Sequence, residues 1–402
     1  QVLVKEMGMT DAGYPLHLVL VSKDGKFDPG QWHKQNKVVV LINNGIHPGE
    51  PDGIDASMMF VRDIVIKKIS LPDNVALAFI PVYNIGGCLN RNSYSRANQD
   101  GPLEYGFRGN AQNLDLNRDF TKCDSKEARS FARLFHWLDP EILVDNHVSD
   151  GADYQHTMTM LTSQYDKLGA GLGGWLRDTF EPRLYNGMRD KKWDMVPYVS
   201  FETGSPDKGM MMFYDPPRYS SGYAALFQTI GFVPETHMLK PFKDRVLSTY
   251  AFSQTIIEQA SEKAGELIEE RKKAKAAVRS AASFPLRWSL DTSHYSFVTF
   301  KGYEQAYKPS DATGLNRMVG LGYAVPGTVI AVGVLIPVTR LDNWLAGQWE
   351  AWFGTNPGLL LTGGIAALIY AYLARFLSVA LQTVDASLAK ITPSMDDAAR
   401  SL

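Results

Sequence analysis

Short apolar runs alternate with helical patterns through the first three hundred residues, and this alternation constrains the fold most. Residues 37–43, 74–82 and 141–144 are apolar runs of the kind that forms buried strands. Residues 55–69 and 125–138 place apolar side chains at helical spacing. Strands that alternate with helices predict an α/β fold, in which helices cover both faces of one sheet.

Three further patterns complete this part of the chain. Residues 231–234 have the pattern of a late strand, and residues 242–282 form one long helical pattern. Residues 83–120 are polar and rich in Asn, Arg and Gly. A loop of that length inside a compact domain is more often functional than idle, so we expect functional residues in it.

The density of charged residues divides the chain near residue 317. Only nine charged residues occur from residue 318 onward, whereas about 24% of the preceding residues are charged, close to an average soluble protein. The sequence therefore predicts one domain over residues 1–316 and a different kind of segment over residues 317–402. The net charge of −2 excludes the basic surface that a nucleic-acid partner requires.

A turn directly after the strand at residues 37–43 contains His47 and Glu50. An imidazole and a carboxylate at this spacing can face one metal ion, and both suit Zn²⁺. For this pair alone an ordinary loop is the alternative. His147 follows the strand at residues 141–144 and supplies a third ligand, at a strand end where α/β sites usually lie. Two His and one Glu form the ligand set of a catalytic zinc, so we predict one Zn²⁺ ion.

Further groups follow in the order that a known family shows. Asn117 and Arg118 lie in the long loop, and Glu235 follows the late strand. The order His-x-x-Glu, Asn-Arg, His and Glu resembles the zinc carboxypeptidases, the carboxypeptidase A-like metallopeptidases, over residues 1–316. The resemblance implies a mixed central sheet and a hydrolase that removes C-terminal residues from peptides with a free carboxylate.

The resemblance also implies a role for each residue. Glu235 would be the general base that takes a proton from the zinc-activated water, and Arg108 would stabilise the oxyanion. Asn117 and Arg118 would clamp the terminal carboxylate of the substrate. Asp115 would orient a zinc-bound histidine and fix its tautomer.

Three points stay open within the resemblance. Arg91 and Arg96 are rivals of Arg108 for the oxyanion role. Asp119 follows Arg118, where the family often has a second Asn, and this departure could alter the terminal subsite. The family tyrosine that closes over the substrate has three candidates here: Tyr214, Tyr219 and Tyr223.

The tail contains two uncharged runs that are long enough to cross a bilayer core as helices. They cover residues 319–339 and 351–374, and residues 340–350 between them carry Trp344 and Trp349, a residue type common at membrane interfaces. A buried core hairpin is the alternative. The sequence predicts an all-α hairpin of two transmembrane helices joined by a loop at residues 340–350.

Residues 322–327 and 375–402 resemble a fragment of binding-protein-dependent ABC transporter permeases, nearest those for ferric iron. This resemblance implies an alternative function, in which a membrane transport fragment is fused to a peptidase-like domain, with a joined or truncated reading frame near residue 317. A zinc-binding but inactive recognition domain is a third hypothesis. We expect the catalytic domain to be periplasmic or secreted, and the intact chain to associate with membranes through residues 319–374.

Overall fold

The computed structural model describes residues 1–303 except 97, 152, 199, 202–208 and 294, together with residues 327–356 and 358. It divides into two compact units, Gln1–Glu304 and Gln305–Leu402. The predicted domain ranges, 1–316 and 317–402, stay predictions.

A mixed sheet runs through the first unit. In chain order the strands are β1 (Val2–Met9), β2 (Pro15–Val21), β3 (Val38–Asn43), β4 (Val75–Ile80), β5 (Ile142–Asp145), β6 (His147–Ser149), β7 (Met158–Thr162), β8 (Val196–Pro197), β9 (Ser200–Phe201), β10 (Met210–Met211) and β11 (Ile230–His237). Their order across the sheet is β1-β2-β4-β3-β5-β11-β7-β8, while β6 pairs with β11, and β9 and β10 form a separate ribbon.

The four central strands are parallel, and the strands on either side of them reverse direction. β4, β3, β5 and β11 run parallel, whereas β2 and β7 run antiparallel to their inner neighbours. Every residue of β3, β4 and β5 is buried, as expected of parallel strands that are covered on both faces. The predicted mixed central sheet is confirmed.

Helices cover both faces of this sheet. They are α1 (Pro29–Lys34), α2 (Asp52–Val65), α3 (Ile85–Leu89), α4 (Lys126–Leu138), α5 (Ala170–Trp175), α6 (Glu181–Asp190), α7 (Ser220–Ala225), α8 (Phe242–Glu262) and α9 (Ala264–Ser280). Side chains of α2, α5, α6, α8 and α9 pack in one apolar core, and those of α1, α4 and α7 pack in the other. Alternate residues of β3 enter the two cores, because successive side chains of a strand point to opposite faces.

Two helix predictions have different outcomes. The helix predicted at residues 125–138 is confirmed, and the Ser125 hydroxyl accepts a hydrogen bond from the Ala128 N–H at 3.0 Å as an N-cap. The single helix predicted at residues 242–282 is wrong, because α8 ends at Glu262 and α9 begins at Ala264. The backbone of Lys263 leaves helical geometry at φ −108° and ψ 15°. Beyond this break, Arg271 binds Glu141 at 2.9 Å.

The second unit contains the helix α10 (Gly327–Phe353). The predicted loop at residues 340–350 is therefore wrong, since these residues are helical and include only one glycine and no proline to interrupt the helix. None of the helices within the described residues combines the length and the apolar character needed to span a bilayer. Residues 319–326 and 359–374 of the predicted spans, and residues 375–402 of the permease-like stretch, lie outside the described residues.

Candidate active site

The candidate ligands are brought together by the carboxyl ends of neighbouring parallel strands. Asn43 at the end of β3 pairs in register with Asp145 at the end of β5, so the turns that follow carry His47 and His147 to the same edge. Gly45 adopts φ +64° in the first turn, a conformation that glycine reaches without steric cost.

His47, Glu50 and His147 form a buried cluster. One ligand atom from each residue lies within 4.8 Å of the other two. The Nδ1 atom of His47 is 3.2 Å from Glu50 Oε1, and the Nδ1 atom of His147 is 3.0 Å from Glu50 Oε2. Each of the three is at most 5% exposed. Two imidazoles and one carboxylate that converge in this way fit a zinc ion.

Aspartates hold the far nitrogen of each imidazole. Asp115 Oδ1 lies 3.0 Å from His47 Nε2, and Asp145 Oδ2 lies 3.0 Å from His147 Nε2. Asn43 donates a hydrogen bond to the other Asp145 oxygen at 2.9 Å. Carboxylates that accept from Nε2–H leave both Nδ1 atoms as free bases facing Glu50, which is the tautomer that a metal requires.

Charges within the cluster shift its protonation. Burial lowers the pKa of His147, but Asp145 and the hydrogen bond to Glu50 together raise this pKa well above its usual value. Burial raises the pKa of Glu50, yet His47 and Arg96 hold it well below its usual value. A metal ion must therefore displace a proton from this cluster, because only a neutral imidazole is a ligand.

Glu235 lies beside the metal-binding cluster. β11 and β6 are parallel, and their register pairs Glu235 with His147. Burial raises the pKa of Glu235 to about 8; the positive charge of His147 opposes this rise and the negative charge of Glu50 adds to it. The carboxyl group is therefore a base of unusual strength for a glutamate, and a divalent cation beside it would lower this pKa.

All eight predicted site residues except Asp115 line one cavity of about 390 Å³. The predicted members are His47, Glu50, Arg108, Asn117, Arg118, His147 and Glu235. The cavity wall also includes residues that the sequence did not single out, namely Val148, Ser149, Asp150, Leu161, Tyr198, Phe213, Ser220, Ser221 and Val233.

The three candidate arginines occupy different places. Arg108 lines the cavity, where two of its nitrogens donate to Asp115 at 3.1 and 2.9 Å and its Nη1 atom lies 3.3 Å from His47 Nδ1. Arg96 also lines the cavity and donates to Glu50 at 2.9 Å. Arg91 is more than half exposed, donates to the Glu104 carbonyl, and is not among the lining residues.

A single helical turn over Leu116–Arg118 presents Asn117 and Arg118 to the cavity. The carboxylate of Asp115 accepts from the Asn117 N–H at 3.0 Å and so caps this turn. The Asn117 Oδ1 atom is buried and has no hydrogen-bond partner among the described residues. Asp119 does not line the cavity; it accepts hydrogen bonds from the N–H and the hydroxyl of Ser125.

The three candidate tyrosines also lie in different places. Tyr219 lines the cavity, and its ring stacks on the Arg118 guanidinium at 4.4 Å. Tyr214 instead packs against Lys167 at 4.7 Å, and Tyr223 is 6% exposed within an aromatic cluster. Tyr198, which was not a candidate, is the second tyrosine among the residues that line the cavity.

Sequence reasoning missed the Asp145–His147 contact, although the residues are only two positions apart. The signal was available, because Asp-x-His at a strand end places both side chains on one face. Tyr198 follows the two-residue strand β8, which is too short to give a pattern, so no comparable signal marked it.

Comparison with known proteins gives one family match. Residues 1–140 match the zinc carboxypeptidase family. The match contains His47, Glu50, Asn117 and Arg118, and with the buried triad it agrees with the predicted enzyme class and the predicted zinc cofactor. It does not extend to the tail, where the resemblance to permeases has no support. No curated protein matches the chain.

Solved structures of metallocarboxypeptidases are similar to part of the chain. A metallo-carboxypeptidase from Burkholderia cenocepacia is 17% identical over 65% of each chain, with a TM-score of 0.45. Carboxypeptidase A from Helicoverpa armigera is 14% identical over 65% of this chain and 69% of its own, with a TM-score of 0.46. The chain spans about 65% of the length of the Burkholderia protein. Both TM-scores are below 0.5. The likeness to zinc carboxypeptidases therefore depends on the family match over residues 1–140 and on the geometry of the metal-binding cluster.

Zinc analysis of His147→Ala tests the metal site. We expect the wild-type chain to bind one zinc ion and the variant to lose most of it, because two remaining ligands do not hold the ion. His136→Ala is the matched control, since His136 lies in α4 and packs on Phe227 away from the metal site. Equal zinc content in wild type and His147→Ala would show that the ion binds elsewhere.

Proposed function

We propose that the chain is a zinc-dependent metallocarboxypeptidase that hydrolyses the last peptide bond of a substrate. The observation that carries this proposal is one cavity that contains a metal triad, a general base, an arginine beside the metal site and an Asn-Arg pair. Each component has its own job in peptide hydrolysis, and an inactive recognition domain would need only some of them. Export of the catalytic unit stays a prediction.

The metal supplies one part of the chemistry. His47, Glu50 and His147 would hold a zinc ion, which would polarise a carbonyl group and acidify a water molecule. Asp115 and Asp145 keep the imidazoles in the required tautomer.

Glu235 is the general base that transfers the proton of the attacking water. Its position beside His147 and in the wall of the cavity suits a carboxylate that takes a proton from the attacking water and returns it to the leaving amine.

Arg108 faces the position where negative charge develops. Asp115 holds two of its nitrogens, so the guanidinium is fixed before substrate arrives. The remaining Nη1 atom, 3.3 Å from His47 Nδ1, can donate to the oxyanion of the tetrahedral intermediate. A donor that is fixed in advance needs no reorganisation during the reaction.

Asn117 and Arg118 bind the terminal carboxylate. The Arg118 Nη1 atom donates to the Asn117 carbonyl at 2.8 Å, and Tyr219 supports the guanidinium from its ring face. An arginine held in this way matches a carboxylate through two parallel hydrogen bonds. The clamp restricts cleavage to the chain end, since an internal peptide bond carries no carboxylate.

The strands β7 and β11 each contribute one apolar side chain to the cavity wall. Leu161 and Val233 are paired neighbours on these strands, and Phe213 adds an aromatic side chain to the same cavity. Apolar side chains gain free energy when they leave water for such a wall. We therefore propose that the enzyme prefers an apolar residue at the C-terminus of its substrate.

Glu235→Gln tests the proposed mechanism. We expect kcat to fall by about 10²–10⁴-fold, because the amide cannot accept the proton, while zinc content and Tm stay near wild type. Glu104→Gln, a change on an exposed loop residue, is the control and should leave kcat unchanged. Hydrolysis of a short peptide by Glu235→Gln at the wild-type rate would contradict the mechanism.

Arg118→Gln tests the carboxylate clamp. We expect KM to rise at least tenfold, since a charge-assisted pair contributes about 1.5–3 kcal/mol, with zinc binding unchanged. Arg218→Gln is the matched control, because Arg218 stacks on the same Tyr219 ring at 5.1 Å without lining the cavity. An equal rise in KM for both variants would place the clamp elsewhere.

A further inference from the structure

Arg96 is a buried cation inside the metal site. Its side chain is 14% exposed, and its backbone is held at both ends of the residue. The Arg96 N–H donates to the Tyr105 hydroxyl at 3.2 Å, and that hydroxyl donates to the Arg96 carbonyl at 2.9 Å. The side chain therefore leaves the loop from a fixed point.

Every nitrogen of the Arg96 guanidinium donates to a different group. Nη1 donates to Glu50 Oε1 at 2.9 Å, Nη2 donates to the Val148 carbonyl at 2.8 Å, and Nε donates to Gln99 Oε1 at 2.6 Å. Gln99 in turn donates to the Gly49 carbonyl at 3.0 Å. Arg96 thus joins the turn that carries Glu50 to the strand that begins at His147.

Glu50 receives one fixed donor on each oxygen. Arg96 binds Oε1, and the Val148 N–H binds Oε2 at 2.9 Å. Gly49 makes room for this arrangement, because a Cβ atom at residue 49 would lie 2.8 Å from Arg96 Cδ. The carboxylate cannot turn without breaking one of these hydrogen bonds.

Arg96 and Arg108 have separate roles around the same oxygen. Arg108 Nη1 lies 3.8 Å from Glu50 Oε1, beyond hydrogen-bond distance, and Asp115 holds the rest of its guanidinium. Each of the three Arg96 nitrogens donates one hydrogen bond within the protein, so its guanidinium is held against Glu50. Arg108 keeps one nitrogen toward the metal site.

We propose that Arg96 is a positioning residue that sets the orientation of the metal ligand Glu50 and thereby strengthens zinc binding. The inference rests on the metal site of the proposed function. The charge of Arg96 alone would weaken binding of a second cation, because like charges repel. Removal of this charge alone would therefore strengthen zinc binding. If removal of Arg96 weakens zinc binding instead, the cause is that Glu50 is no longer held in position.

Zinc affinity of the full chain, measured by competition with a chromophoric chelator, tests the inference. We expect Arg96→Gln to bind zinc about 10–100-fold more weakly than wild type, as for other residues that orient metal ligands. Arg96→Lys should recover part of the loss, because its ammonium can still donate to Glu50. Arg91→Gln, on the same loop but outside the cavity, should bind zinc like wild type.

The outcomes separate this inference from the proposed function. Unchanged or tighter zinc binding by Arg96→Gln, with a wild-type circular dichroism spectrum, overturns the positioning role. Should Arg96→Gln misfold, Arg96→Met decides in its place, because it keeps an unbranched side chain without a donor, and wild-type zinc affinity of that variant overturns the role. A wild-type chain that binds zinc in an Arg96-dependent way but hydrolyses no peptide would overturn the proposed function and leave this inference standing.

Discussion

The site depends on one carboxylate held between two imidazoles. Glu50 faces the Nδ1 atoms of His47 and His147 at 3.2 and 3.0 Å, and aspartates hold the opposite nitrogen of each ring. All of these ligand groups are buried, where an unpaired charge is costly. A divalent cation at their centre would satisfy all three ligands at once.

The sheet makes this arrangement possible. Parallel strands end at the same edge, so the turns after β3 and β5 and the last part of β11 converge although they lie far apart in the chain. The register of β11 with β6 then places Glu235 next to His147. A shift of one residue in that register would point the Glu235 side chain to the other face of the sheet.

Much of the fold and the candidate site could be predicted from the sequence. The buried strands β3, β4 and β5 have continuous apolar runs, and His47 and Glu50 share one turn, so both signals are local. Asn117, Arg118, His147 and Glu235 came from the order of motifs in a family resemblance. The end of α8 has only a weak local signal, because no proline directly follows Lys263 and the nearest glycine, Gly265, lies inside α9.

The parts that could not be predicted depend on three-dimensional contacts. Arg96 and Arg108 lie in the same loop and look equivalent in the sequence, yet one binds Glu50 and the other binds Asp115. In the tail, the absence of charge does not decide whether residues 340–350 form a loop or continue a helix. In α10 they continue it.

The most direct test of carboxypeptidase activity is mass spectrometry of two peptides that differ only at the C-terminus. One ends in leucine with a free carboxylate, the other in leucine amide, and both are incubated with the zinc-loaded chain. The structure predicts stepwise loss of residues from the free carboxylate end, little or no cleavage of the amide, and loss of activity with a chelator. Equal cleavage of both peptides, or cleavage at internal bonds only, would contradict the account.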